Sequence, residues 1–178
     1  MTEIQVYALS IAERVPFEFY WGFWGLFIVG LLLLIWWKRL WLGLRYGAVL
    51  LLVEWVFLIL CAIVFFREAG AERRIQLEPF RSYWDYGEHS YFMEMFGENI
   101  LNVLLFVPIG FLAGCGLQEM TVKRVLLFGG GLSIFIELLQ FTFKKGFCET
   151  DDVIHNVLGC LIGYGLSNVI FKRKHINV

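Results

Sequence analysis

Residues 133–159, SIFIELLQFTFKKGFCETDDVIHNVLG, are the stretch around which this chain is organised. An apolar segment carrying Glu137 and Gln140 runs into a short polar turn, and a second apolar segment follows with Asp152 and Asn156. Residues three or four positions apart share one face of an α-helix. The spacing therefore predicts two consecutive hydrophobic helices, each with a narrow polar stripe among apolar residues.

An earlier apolar segment repeats this pattern, because Asn99 and Asn102 stand three positions apart at its start. The acidic pair Asp151 and Asp152 opens the last apolar segment. We expect the function to lie where the polar stripes of the three helices meet. The candidate ligand-binding residues of that polar site are Asn99, Asn102, Glu137, Gln140, Asp151, Asp152 and Asn156.

The composition is that of a membrane protein. The chain has 178 residues, of which 59% are hydrophobic and only 17% charged, whereas soluble domains carry about 25% charged residues. Because roughly 20 apolar residues cross a bilayer, there is room for about five crossings. The sequence predicts an all-α, polytopic transmembrane helical bundle. The net charge of −1 offers no basic surface for a nucleic-acid partner.

The pattern of apolar and polar stretches divides the chain into five parts. They are an N-terminal segment (1–16), two generic transmembrane helices (17–66), an outer amphipathic and aromatic loop (67–98), a three-helix membrane core (99–171) and a basic tail (172–178). In the core, Gly110 and Gly114, and likewise Gly159 and Gly163, are spaced for close helix approach. Pro108 predicts a kink in the first core helix, because proline cannot donate a helical hydrogen bond.

The distribution of Lys and Arg at the span ends predicts the orientation. With five spans, one side receives Lys38, Arg39, Arg45, Lys123, Arg124, Lys172, Arg173 and Lys174, mostly in short loops. The other side receives Arg14, Arg67, Arg73, Arg74, Arg81, Lys144 and Lys145, diluted by the long loop. We therefore expect the N-terminus outside and the C-terminus in the cytoplasm of a bacterial plasma membrane.

Four pieces of the sequence resemble the VanZ-like family of bacterial membrane proteins. They are QLEPF (76–80), ENILNVLLFVPIGFLAG (98–114), IELLQ (136–140) and DDVIHNVLGCLIGY (151–164). The chain departs from the family pattern at Gln76, where the family usually has Asn, and at Lys144 and Lys145, where an arginine usually precedes the acidic pair. The resemblance implies a role in the cell envelope, with low-level resistance to the glycopeptide teicoplanin as the function of the founding member.

Two interpretations of the polar residues remain open. Polar side chains inside a membrane mark functional sites, but they also join helices through hydrogen bonds. Asp151 and Asp152 have their own alternatives: carboxylates are favourable at a helix N-terminus, and oxygen-rich pairs also suit Mg²⁺ bridging a phosphate. His155 lies one residue off the face of Asp152 and Asn156, which favours a packed or interfacial histidine.

Three classes of function fit these residues. The first is a binding or resistance factor that takes a glycopeptide or a lipid-linked envelope precursor. The second is an enzyme acting on a lipid-linked phosphate, with a carboxylate as acid or base and Mg²⁺ on the acidic pair. The third is a small transporter whose polar stripes line a path. No Gly-rich phosphate loop, Ser/His/Asp arrangement or zinc spacing occurs in the sequence. We rank the binding or resistance factor first and the enzyme second, and we assign no catalytic residue.

Overall fold

The computed structural model describes residues 9, 13–36, 40–70, 73–84 and 89–171. Their fold is all-α, as predicted. The helices are α1 (Phe17–Trp36), α2 (Leu40–Leu60), α3 (Arg81–Trp84), α4 (His89–Gly116), α5 (Val122–Phe143) and α6 (Thr150–Ile170), and a π-helical turn (Cys61–Phe65) extends α2. Two strands of two residues each, β1 (Ile75–Gln76) and β2 (Cys148–Glu149), pair in parallel.

The apolar helices confirm a membrane protein. Four segments are long and apolar enough to cross a bilayer, namely Leu44–Phe65, Phe96–Gly116, Val122–Phe143 and Thr150–Ile170, and α1 contains a shorter apolar segment, Phe17–Val29. Large apolar side chains lie on the outside of the bundle; Leu127 and Val169 are 68% and 73% exposed. Such side chains are stable in contact with lipid tails and would be unfavourable in water.

Helix α6 occupies the centre of the core. It packs against α4 on one side and α5 on the other, while α2 packs against α4 and α1 packs against α2. Among the best-buried side chains, Phe106, Ile109, Ile136 and Cys160 come from α4, α5 and α6 and are at most 1% exposed. Each polar stripe of the core helices therefore faces a protein neighbour rather than lipid.

Glycines allow α4 and α6 to approach each other closely, as the sequence predicted. A Cβ atom added at Gly163 would lie 1.9 Å from the carbonyl oxygen of Val107, and one added at Gly110 would lie 1.9 Å from that of Cys160. Both distances are far below van der Waals contact. The two backbones can meet only because these positions carry no side chain.

The structure differs from the sequence prediction at the end of the long polar connection. Helix α4 begins at His89, inside the stretch 67–98 that was predicted to be a loop, and its apolar span is Phe96–Gly116. Pro108 lies inside α4, and the Trp55 indole Nε1–H donates to the Leu105 carbonyl oxygen at 2.9 Å. This bond ties α2 to the stretch of α4 in which proline removes a helical donor.

We expect Gly163→Ala to destabilise the protein strongly, because the new methyl group would push the α4 backbone away from α6. Overpacking of this kind costs about 1–3 kcal/mol or more. Gly165→Ala is the matched control, since no atom lies within 4 Å of its added Cβ and alanine favours a helix. Thermal unfolding in detergent should show a lower melting temperature for the first variant only; equal melting temperatures would contradict the close contact.

Candidate functional site

The turn between α5 and α6 holds the long loop over the end of the bundle. Helix α5 ends at Phe143, and its C-cap residue Lys144 has a φ of 56°, in the left-handed region. The Lys145 N–H donates to the Gln140 carbonyl oxygen at 2.8 Å. Such bonds close the last turn of a helix. The chain then forms β2, where the Cys148 N–H donates to the Arg74 carbonyl oxygen at 2.9 Å. The loop after α2 is thereby fixed beside the start of α6.

A small polar cavity of about 80 Å³ lies at this end of the core. Five of the seven predicted site residues line it: Asn102, Glu137, Gln140, Asp152 and Asn156. The other two, Asn99 and Asp151, are buried at 3% and 4% exposure but do not line the cavity. The structure thus brings the stripes of α4, α5 and α6 together.

Hydrogen bonds hold these side chains in place. Asn102 Nδ2 donates to Asp152 Oδ1 at 2.6 Å, which joins α4 to α6. Asn156 Nδ2 donates to Ser133 Oγ at 2.9 Å, which joins α6 to α5. Glu137 Oε2 accepts from the backbone N–H of Glu149 at 3.0 Å. Each predicted stripe is therefore bonded to a neighbouring element.

One polar atom of the cavity has no hydrogen-bond partner within the described part of the chain. Asn156 is 4% exposed, and its Oδ1 finds no hydrogen-bond donor among the described residues. A buried acceptor without a donor costs about 1–3 kcal/mol, so buried oxygens are nearly always paired with protein or water. A donor from a water molecule or a ligand would satisfy this atom.

Four charged residues of the cavity were not among the predicted site residues. They are Arg14, Arg67, Glu98 and Glu149. The positive charge of Arg67 acts on the carboxyl groups of Glu137, Glu149 and Asp152. Glu98 stands one position before Asn99 and Glu149 three positions before Asp152, whereas no local pattern indicates that Arg67 lies at the same place.

The cavity gathers more carboxyl groups than guanidinium groups. Glu137 and Asp152 both line the cavity, and their carboxyl groups interact electrostatically. Outside the spans, burial raises the pKa of Glu149, the negative charges of Glu98 and Asp151 raise it further, and Arg74 and Arg67 oppose this rise. Negative charge thus exceeds positive charge when all four carboxyl groups of the cavity are ionised, and a cation, a proton or a donor group is needed to offset it.

The sequence model of the VanZ/LLP1 family matches residues 25–172. The chain belongs to the VanZ/LLP1 family. It is also similar to Protein VanZ of Enterococcus faecium, with 35% identity over 85 residues that cover 46% of this chain and 53% of the relative. The chain spans about half the length of that curated relative. No solved structure matches the chain.

In this VanZ/LLP1 protein, two of the family-like pieces contact each other directly. The N–H of Phe80, at the end of QLEPF, donates to Asp151 Oδ1, and Thr150 Oγ1 donates to the Leu77 carbonyl oxygen at 3.3 Å. Phe80 has a φ of 63°, so the loop turns sharply at this contact. Asp151 therefore fastens the loop to α6, which accounts for its absence from the cavity lining.

His155 is a packed histidine, in agreement with the prediction. Its Nδ1 lies 2.6 Å from the carbonyl oxygen of Asp151, and a carbonyl can only accept, so Nδ1 carries the proton. In the neutral ring, Nε2 then accepts from the hydroxyl of Tyr83 at 2.7 Å. Tyr83 belongs to α3, so this bond also ties the outer loop to α6.

The guanidinium near the acidic residues comes from Arg67 rather than from the residues before Asp151. A Cβ added at Gly146 would lie 3.1 Å from Arg67 Nη1, so the glycine leaves room for this group. Lys145 Nζ donates to the Arg67 carbonyl oxygen and fixes its backbone. Lys144 and Lys145 stand where the family usually has an arginine, and in this chain Arg67, from a different segment, supplies the guanidinium.

Asp151 and Asp152 have different roles. Asp151 binds the loop at Phe80, whereas Asp152 accepts from Asn102 and lines the cavity. Within residues 9, 13–36, 40–70, 73–84 and 89–171, no group of three or more His, Cys, Asp or Glu side chains is placed to hold a metal ion. The weak expectation of Mg²⁺ at Asp151 and Asp152 stays a prediction.

Proposed function

We propose that this protein is an envelope-associated resistance factor that binds a glycopeptide such as teicoplanin, or a cell-envelope lipid, at the polar cavity of its membrane core. The observation that carries the proposal is the unpartnered Oδ1 of Asn156 in a cavity lined by carboxyl groups. Similarity to Protein VanZ supports an envelope role.

The size and chemistry of the cavity limit what enters it. A volume of about 80 Å³ equals that of two or three water molecules in the liquid, so only a small group of a larger ligand fits. Because acceptors predominate, that group is a hydrogen-bond donor such as an amide N–H or an ammonium. The rest of the ligand then lies over the exposed apolar side chains of the loop, Leu77, Phe80 and Phe147.

The cavity lies at the end of the bundle that we assign to the outer face. In this orientation, the N-terminus is outside, the C-terminus is cytoplasmic and the loop over α6 meets the cell envelope. The dense cations of the short loops on the opposite side support the assignment. A glycopeptide arriving from outside would then reach the cavity without crossing the membrane.

Cysteine labelling tests this orientation. Glu78 lies on the outer loop and Gln118 in the turn between α4 and α5, and both are exposed. In a background with Cys115 and Cys148 replaced by serine, an impermeant thiol reagent should label Glu78→Cys in intact cells. Gln118→Cys, the matched control, should be labelled only after permeabilisation. The reverse pattern would invert the proposed orientation.

An enzyme acting on a lipid-linked phosphate is the second candidate. The guanidinium of Arg67 beside the Glu137 carboxyl favours it, because Arg binds phosphate well and a carboxyl group can transfer a proton. Glu137→Gln separates the two candidates, since glutamine keeps the size and hydrogen bonding but carries no transferable proton. We expect Glu137→Gln to retain part of the resistance. Complete loss, together with loss on chelating divalent metal ions, would favour the enzyme.

The experiment that tests the proposed function is expression in a teicoplanin-susceptible bacterium. We expect the protein to raise the minimal inhibitory concentration of teicoplanin relative to the empty vector. The minimal inhibitory concentration of an unrelated membrane-active antibiotic should stay unchanged, which serves as the control for general envelope stress. An unchanged value for teicoplanin at verified expression would contradict the resistance role.

A further inference from the structure

A second and larger cavity lies at the opposite end of the bundle from the polar cavity. Its volume is about 660 Å³, which corresponds to roughly twenty water-sized volumes of about 30 Å³ each and suits one lipid acyl chain. Its lining is mainly apolar and comes from α1, α2 and α4, with Phe27, Leu44, Ala48, Leu51, Phe111 and Leu112 among the lining residues. Water would find few hydrogen-bond partners in this cavity, whereas an acyl chain would contact apolar side chains.

A single cation stands among the described residues that line this cavity. Arg45 is the second residue of the span Leu44–Phe65, so its guanidinium lies near the boundary between hydrocarbon and head groups. Its one hydrogen bond within the described part of the chain goes to the Gly116 carbonyl oxygen at 3.5 Å, the outer limit for such a bond. Among the described residues, most of its five donors have no acceptor, and we take them as available to a bound anionic group.

The carboxylate at the same cavity does not compete strongly for Arg45. Glu119 also lines the cavity, but its side chain pairs with Arg124 Nη1 at 3.2 Å, and the same Nη1 donates to the Glu119 carbonyl oxygen at 2.7 Å. The negative charge of Glu119 is thus offset locally by Arg124. The remaining charge at the mouth of the cavity is that of Arg45.

We propose that this cavity is a binding site for an anionic phospholipid, with one acyl chain in the apolar cavity and the phosphate bound by the guanidinium of Arg45. Arginine forms paired hydrogen bonds with phosphate oxygens, and basic pockets between transmembrane helices bind anionic head groups. The site is separate from the polar cavity and does not depend on the proposed resistance function.

Native mass spectrometry of the purified protein tests this site. The protein is incubated with equimolar phosphatidylglycerol and phosphatidylcholine of identical acyl chains, and the bound lipids are counted. We expect a preference of about fivefold for phosphatidylglycerol, the ratio that one basic residue near an anionic head group provides. Arg45→Gln should remove the preference, whereas Lys123→Gln, a matched exposed cation outside the cavity lining, should keep it.

Two outcomes would overturn the proposal. One is equal retention of the two lipids by the unaltered protein, which would mean that the cavity binds an acyl chain without discriminating between head groups. The other is equal loss of preference in Arg45→Gln and Lys123→Gln, which would mean a diffuse surface charge effect. If Arg45→Gln does not fold, Arg45→Lys takes its place; it keeps the charge but loses the paired geometry, so a reduced preference supports the site and an unchanged one contradicts it.

Discussion

Replacing Asp152 by alanine is expected to abolish resistance to teicoplanin while the protein stays in the membrane at normal abundance. The carboxyl group of Asp152 fixes Asn102 through the 2.6 Å bond between α4 and α6, and it lies among the acceptors of the cavity. Its removal takes away both the positioning bond and one acceptor for the ligand. The measurement is the minimal inhibitory concentration, read beside an immunoblot of the membrane fraction.

Glu54→Ala is the matched control for this variant. Glu54 is a half-buried carboxyl residue within the span of α2, but it does not line the polar cavity. Its replacement should leave resistance nearly unchanged. If Asp152→Ala instead disappears from the membrane, and a double replacement of Asp152 and Asn102 by leucine restores both abundance and resistance, then these residues act only as packing contacts and the site proposal fails.

Replacing Arg67 by glutamine is expected to destabilise the protein, and more strongly at high pH than at low pH. Arg67 offsets the carboxyl groups of the cavity. Removing one partner of a buried charge cluster costs about 3–5 kcal/mol; because Arg67 is only half-buried, we expect about 2 kcal/mol at pH 8. Thermal unfolding in detergent at several pH values measures the effect.

The sign of the pH dependence follows from Glu149. Its pKa in the folded protein is raised, first by burial and then by neighbouring carboxylates, so the folded state binds more protons than the unfolded state between the two pKa values. Stability therefore falls as the pH rises through this window. Without Arg67 the pKa of Glu149 rises further, which widens the window. The stability lost in Arg67→Gln should accordingly grow as the pH rises.

Arg73→Gln is the matched control. Arg73 is exposed, and its hydrogen bonds within the described residues go to the backbone oxygens of Phe141 and Thr142, both at 3.2 Å. The stability lost in Arg73→Gln should not depend on pH. An Arg67→Gln variant with the same melting temperature as the unaltered protein at every pH would show that the guanidinium does not balance the carboxyl groups.

Helical periodicity explains which site residues the sequence could predict. Glu137 and Gln140, three apart, and Asp152 and Asn156, four apart, share helix faces, and all four line the cavity. Asp151 and Asp152 are adjacent and hence point about 100° apart on a helix. Only one of the two can face the cavity, and the other turns towards the loop.

The remaining part of the site depends on contacts between segments far apart in the sequence. Arg67 reaches the cavity because β1 pairs with β2 across more than seventy residues, with Ile75 opposite Cys148. Strands of two residues carry too short a pattern for sequence analysis to detect. The π-helical turn before Arg67 and the early start of α4 at His89 likewise arise from packing rather than from a local signal.

The most direct test of the central claim is binding of teicoplanin to the purified protein and to its Asn156→Leu variant, both in lipid nanodiscs. Leucine matches asparagine in size and removes the unpartnered buried Oδ1, an atom whose burial costs about 1–3 kcal/mol. Ser133 can bond to its own helix once Asn156 Nδ2 is gone. If the cavity is the binding site, Asn156→Leu keeps or raises the melting temperature and yet loses saturable binding. Binding equal to that of the unaltered protein, or a variant that loses stability and binding together, would contradict the account.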